Sequence, residues 1–161
     1  MRTNVTFNSN GMKVAGHMYL PDDYKEGEKR PAIVVGHPCG GVKEQTAGLY
    51  AKKLSEKGFI TLAFDASYQG ESEGDPRYLE DPFARAEDVK SAVTFLETRN
   101  EVDEQRIGAL GICASGGYVP FAAETDRRIK AIGTVSAVDL GDIVRKGLKN
   151  STVPNLEHLL E

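Results

Sequence analysis

At 161 residues the chain is the size of one domain and is long enough to bury a real core. Acidic residues outnumber basic ones by 24 to 20, so no surplus of positive charge is available for a phosphate backbone, and nucleic acid is not an expected partner. The two cysteines are too few for a disulfide scaffold and lack the spacing of a metal knuckle. No apolar run is long enough to span a bilayer and Met1-Arg2-Thr3-Asn4 leads into no signal core, so the expectation is a cytoplasmic protein without a membrane partner.

Asn4 to Asn8 and Met12 to Leu20 are strand-like runs separated by Ser9-Asn10-Gly11, and Asn-Gly in that place predicts a hairpin. Pro21 to Arg30 is a charged connection. Pro31 to Gly36 is a continuous apolar run, the pattern of a strand buried on both faces. Between Lys43 and Lys57, Ala47, Tyr50, Ala51 and Leu54 recur at helical spacing, with Gly58 placed to end the helix. Phe59 to Phe64 reads as the next buried strand, followed by a long polar loop from Ala66 to Asp81. Pro82, then Phe83, Ala86, Val89, Val93 and Leu96, mark an amphipathic helix closing near Asn100. Ile107 to Cys113, a helix from Ala114, and Ile129 to Val138 complete an alternation of strands and helices. Such alternation implies right-handed crossovers and a parallel sheet covered on both faces.

Chemistry concentrates in Gly111-Ile112-Cys113-Ala114-Ser115-Gly116-Gly117, where a strand, a sharp turn and a helix meet. A nucleophile on such a turn needs small neighbours two positions either side, which Gly111 and Ser115 supply. The following helix points its first amides at the Cys113 sulfur, an arrangement that activates thiols. A second register places Ser115 on the turn; strand length favours Cys113, leaving Ser115 in the first helical turn.

These residues resemble the nucleophile elbow of α/β-hydrolases, and the cysteine makes the chain most similar to the dienelactone-hydrolase-like branch. The resemblance implies an α/β-hydrolase-like fold, with the antiparallel hairpin preceding the parallel sheet, and residues 1–161 as one domain that lacks the last strands of the full fold. It further implies that the strand ending at Gly36 lies between those ending at Phe64 and Cys113. His37-Pro38-Cys39-Gly40-Gly41 resembles the loop that supplies half of the family's oxyanion hole. Pro38 has no amide hydrogen, so Cys39 is the expected donor, with Gly40 second and Ala114 as the other half. His37, Gly40 and Tyr68 are placed on the substrate side, with His37 shaping the loop rather than acting as base. Glu44 and Asp65 receive no catalytic role.

The implied function is hydrolysis of an ester, lactone or thioester through Cys113, with a small acyl substrate and no cofactor. The alternative is a hydrolase-fold remnant that binds without turnover, because the family's acid and histidine follow later strands. Asp139 after the last strand and His158 on a short terminal helix are the remaining candidates for those roles. The apolar strand from Ile129 to Val138 would be an open edge, which favours a homodimer through it. Cys39 and Cys113 fall past the ends of neighbouring strands; the Cys39 side chain is expected to point away, with a reversible disulfide as the alternative.

Overall fold

A computed structural model describes residues 1–147; the reading of a terminal helix carrying His158 lies outside the described residues. The elements are β1 (Arg2–Ser9), β2 (Met12–Tyr19), β3 (Arg30–Gly36), α1 (Thr46–Ser55), β4 (Ile60–Phe64), α2 (Pro82–Glu97), β5 (Val102–Ile112), α3 (Ser115–Thr125), β6 (Ile129–Val135) and α4 (Leu140–Lys146). The β1–β2 hairpin forms on Asn10 and Gly11, both with positive φ, the backbone that a two-residue turn between twisted strands requires.

The six strands form one sheet in the order β1-β2-β4-β3-β5-β6. The hairpin strands are antiparallel and β2 joins β4 antiparallel, while β4, β3, β5 and β6 run parallel. β3 thus lies between β4 and β5, as expected. The reason its sequence shows no alternation is visible in the packing: Val34 belongs to a core under α2 and α3, and Val35 to a second core under α1. Leu62 and Ala63 of β4 divide in the same way. Helices therefore cover both faces. None of the helices among the described residues is long and apolar enough to cross a membrane.

Several boundaries differ from the sequence reading. α1 begins at Thr46 rather than Lys43, because the Lys43 amide and ammonium are both drawn to Asp65. β5 begins at Val102, which pairs with Arg30 across a register shift, so its polar first half is extended although no apolar run announces it. β6 ends at Val135, where Ser136 turns the chain with φ of 49°. Phe83 does not join the core of α2; it is 74 % exposed and pairs edge-to-face with Phe121. Asp81 caps this helix, accepting from the Phe83 and Ala84 amides, with Pro82 in the first turn.

Candidate active site

The parallel register lines up the carboxyl ends of β3, β4 and β5, with Val35 beside Ala63 and Gly36 beside Gly111. The loops carrying His37, Asp65 and Cys113 therefore leave the sheet at one edge, where ligands meet such sheets. Cys113 has φ of 56°, a left-handed conformation that costs a non-glycine residue roughly 1–2 kcal/mol. What holds it there is a set of backbone bonds. Its amide donates to Val135, and its carbonyl accepts from Gly116 at 2.8 Å and from Val138 at 3.2 Å. The chain folds back so tightly that a side chain on Gly111 would run into the Ser115 carbonyl, and one on Gly36 would meet the Ser115 hydroxyl at 2.7 Å. The small residues are thus required by close approach of β3, β5 and α3. The Cys113 side chain is half-buried, whereas Cys39 is exposed, and both are free thiols.

The amides of Cys39 and Ala114 donate to no protein acceptor among the described residues. Ala114 is fully buried, so its unpaired amide is a deficit that a native fold rarely leaves standing. The Cys39 amide is carried on the turn closed by Gly41 donating to the Pro38 carbonyl. Partial desolvation, and then the carboxylate of Glu80, push the otherwise exposed Cys39 thiol upward.

Behind these amides stands Arg85, 3 % exposed on α2. Its Nη2 donates to the His37 carbonyl at 2.6 Å and to the Ser115 hydroxyl at 2.8 Å, and Nη1 pairs with Glu80. The Ser115 hydroxyl in turn donates to the His37 carbonyl at 2.7 Å. Tyr118 donates to Glu80 at 3.1 Å and lies beneath the guanidinium, 5.2 Å from ring centre to Cζ. Burial, then Glu80, raise the Tyr118 hydroxyl well above the usual phenol range.

A second buried network fixes the loop after β4. Lys43, 2 % exposed, places its ammonium on Asp65, Glu71 and Glu44 at 2.7–2.8 Å. Burial works against that charge, but the three carboxylates outweigh it and hold the ammonium above its ordinary value. Asp65 also accepts from the Lys43 and Glu71 amides. Asp88 accepts from the Ser67 amide and hydroxyl, and burial pushes its carboxyl upward. Glu44 and Asp65 are thus hydrogen-bonding partners within this scaffold.

Of the residues expected near substrate, Cys39 and Gly40 after β3 and Cys113 and Ala114 after β5 leave the sheet at the same edge, with Cys113 near enough to act on the Cys39 thiol. Gly40 is exposed with φ of 64° and has open space where a side chain would be. His37 is placed differently from the expectation of a substrate-side residue: its ring is fully buried, accepting from the Ala66 amide at Nε2 and facing the Pro38 carbonyl from Nδ1 at 2.6 Å. Burial, then the charge of Arg85, lower its pKa to about 4, so it is a neutral strut between two loops. Tyr68 lines a 540 Å³ cavity with Asn10, Asp81 and Phe83, whose wall includes neither cysteine. Ser115 is 2 % exposed and fully engaged with Arg85 and His37, which places it in the scaffold instead of on the turn. Asp139 caps α4 by accepting from the Asp142 amide at 2.8 Å. Arg85, Glu80 and Asp88 escaped the sequence reading. The available signal was that Arg85 and Asp88 share the helical stripe of Val89, Ala92 and Leu96, where a charge must be paired.

Comparison with known proteins agrees with this architecture. Residues 14–137 match the dienelactone hydrolase family. Protein YcjY of Escherichia coli K12 is 55 % identical over 154 residues, covering 94 % of this chain and 50 % of that protein. The thiohydrolase aneE of Aspergillus aculeatus is 37 % identical over 125 residues, covering 78 % of this chain and 38 % of its own length. The crystal structure of PA2218 from Pseudomonas aeruginosa superposes with a TM-score of 0.91 at 43 % identity, covering 98 % of this chain and 49 % of that one. The chain spans about half the length of the curated relatives it matches. Family match, sheet order and loop placement agree, and the chain belongs to the dienelactone hydrolase family.

Proposed function

We propose that this chain carries the acyl-accepting site of a hydrolase of esters, lactones or thioesters, with Cys113 as nucleophile and the Ala114 and Cys39 amides as the oxyanion hole. The observation that supports it most is the left-handed Cys113 followed directly by a fully buried amide without an acceptor. The Cys113 sulfur would add to the acyl carbonyl carbon, whose oxygen becomes an anion between the two amides. The carbon–oxygen or carbon–sulfur bond then breaks, the alcohol or thiol leaves with a proton, and the acyl group remains on sulfur until water removes it. Attack and charge stabilisation are done by sulfur and backbone, so the reading calls for no cofactor. A relative named a thiohydrolase supports thioesters within the substrate class.

The second reading, binding or acylation without turnover, has its own support. Both described histidines are otherwise engaged: His37 uses both ring nitrogens, and the Nε2 of the buried His17 lies 3.7 Å from Glu44. Neither hydrogen-bonds Cys113 among the described residues. Incubation with p-nitrophenyl acetate, followed by intact mass and release of nitrophenol, separates the readings. Continuous release that disappears in Cys113→Ala supports the hydrolase. A single acetyl group retained on Cys113 supports the second reading, and absence of any acetylation overturns Cys113 as nucleophile and leaves binding without chemistry.

A further inference from the structure

Arg85 has no place in the chemistry just described, yet it is the most expensive side chain near it. A guanidinium 3 % exposed must have every strong donor matched, and an apolar residue of similar volume would fill the same space at lower cost. What an apolar residue lacks is a planar fork that joins several acceptors at fixed geometry. Here the fork joins two elements. One partner is the carbonyl of His37, two residues before Cys39; the other is the hydroxyl of Ser115, one residue after Ala114. The hydroxyl closes the triangle by donating to the same carbonyl. Glu80 and the ring of Tyr118 hold the guanidinium from its other side.

We infer that Arg85 is a positioning residue for oxyanion binding: by joining the β3 loop to the first turn of α3, it fixes the gap between the Cys39 and Ala114 amides. The inference rests on the reading that Cys113 accepts an acyl group. The β3–β5 ladder pairs these elements only as far as Gly36 and Gly111, and beyond it no backbone bond among the described residues joins the two loops, so the triangle of Arg85, Ser115 and the His37 carbonyl is the tie nearest the two amides. A hole that is loose by a fraction of an ångström loses most of its preference for the anion over the carbonyl.

Two reagents for Cys113 separate positioning from general structural damage. Acylation by p-nitrophenyl acetate transfers acetyl to sulfur, expels p-nitrophenolate and passes through an oxyanion. Alkylation by iodoacetamide transfers the carboxamidomethyl group to sulfur and expels iodide without one. In the full chain, Arg85→Met is expected to slow acetylation by about thirtyfold while alkylation stays within about twofold, a loss smaller than the roughly hundredfold or more seen when an oxyanion donor is removed, because both amides remain and only their spacing loosens. Ser115→Ala, which opens one side of the triangle, is expected to slow acetylation by about threefold with alkylation again unchanged. Equal losses with both reagents would make Arg85 merely structural, and unchanged acetylation would overturn the inference outright. If Arg85→Met does not fold, Arg85→Lys is read by the same ratio, because a lysine keeps the charge but not the fork. Failure of the wild-type chain to acetylate at all would instead overturn the underlying reading.

Discussion

β4 and β6 belong to the same parallel array, yet they live in different environments. All five residues of β4 are buried, whereas in β6 only Ile129 is, and Ile132 stays 49 % exposed. The loops follow their strands. Beyond β3 and β4 lie Asp65, Lys43, His37, Asp88 and Arg85, each nearly sealed from solvent and each paired. Beyond β6 the chain turns at Ser136 and enters α4, which buries no residue. Side chains are therefore sealed on the β3 and β4 side of Cys113 and largely exposed along β6, where backbone bonds with Val135 and Val138 hold the turn. Substitutions should report that asymmetry, costing most where charges are sealed and least along the edge.

The largest loss is expected from Asp65→Ala. It leaves the Lys43 ammonium, 2 % exposed, with only the more exposed Glu44 and Glu71, and removes the acceptor of two amides. Breaking one partner of a buried pair costs about 3–5 kcal/mol, read as a fall in the urea midpoint at unchanged slope. A cost below about 1 kcal/mol would mean that water reaches this network and that the two sides of the sheet differ less than their burial suggests.

Acid should attack the same side. The His37 pKa is lowered from 6.5 to about 4 by burial and by Arg85, so between those values the unfolded chain binds the proton that the folded chain refuses. Stability from this group is thus fully present above about pH 6.5 and lost as pH falls towards 4, roughly 3 kcal/mol in all. His17, also lowered by burial, has the same sign, while Asp88, raised by burial, has the opposite one. Urea unfolding at about pH 7.5 and about pH 4.5 should show a smaller acid loss in His37→Gln than in the wild type; equal losses would assign the acid sensitivity elsewhere.

A smaller loss, about 2–3 kcal/mol, is expected for Gly111→Ala, because the new methyl group must displace the Ser115 carbonyl at the start of α3. The same substitution at Gly133 in β6 meets only the tip of Leu110 at 3.2 Å and should cost less than about 1 kcal/mol. Thermal melts of the two variants rank the sides directly, and a reversed ranking would break the comparison.

How much of this was legible in the sequence divides along the same line. The hairpin, the strands and the turn at Cys113 follow from short-range signals, namely Asn10-Gly11, apolar runs of strand length and small residues where backbones touch, whereas the place of β3 between β4 and β5 comes from the family resemblance. The polar scaffold was not legible, because Arg85, Asp88 and Lys43 look like ordinary surface charges until a loop distant in sequence folds over them. Lys43 meets Asp65 twenty-two positions on, and Arg85 reaches back forty-eight positions to His37. Helix α2 shows the error in both directions, since the sequence pattern counted exposed Phe83 as core and passed over buried Arg85. Hydrophobic periodicity locates a face to within a residue, and at the rim of a site the charged residue can be the one that turns inward.

The smallest effect on stability, and the most informative about the open side, is expected at Ile132. Among the described residues β6 has β5 as its one strand partner, so its other edge presents backbone donors and acceptors together with a half-exposed isoleucine. An apolar cavity of 470 Å³ lies against it, walled by Leu54, Phe59, Ala109, Leu110 and Ile132. Edges of this kind pair with other edges unless charge or covering prevents it, and Lys130 is the nearest built-in charge. The chain is therefore expected to self-associate through β6 at high concentration. Ile132→Lys adds a charge to the exposed face while the lysine stem covers much of the apolar surface that the half-exposed isoleucine covers, so it should change stability by less than about 0.5 kcal/mol. The weight-average mass from light scattering, measured across a concentration series, should fall towards that of the monomer in the variant. A wild-type chain already monomeric throughout would show that the edge is not sticky, and an associated variant would move the contact to the exposed Phe83 and Phe121 pair on the other face.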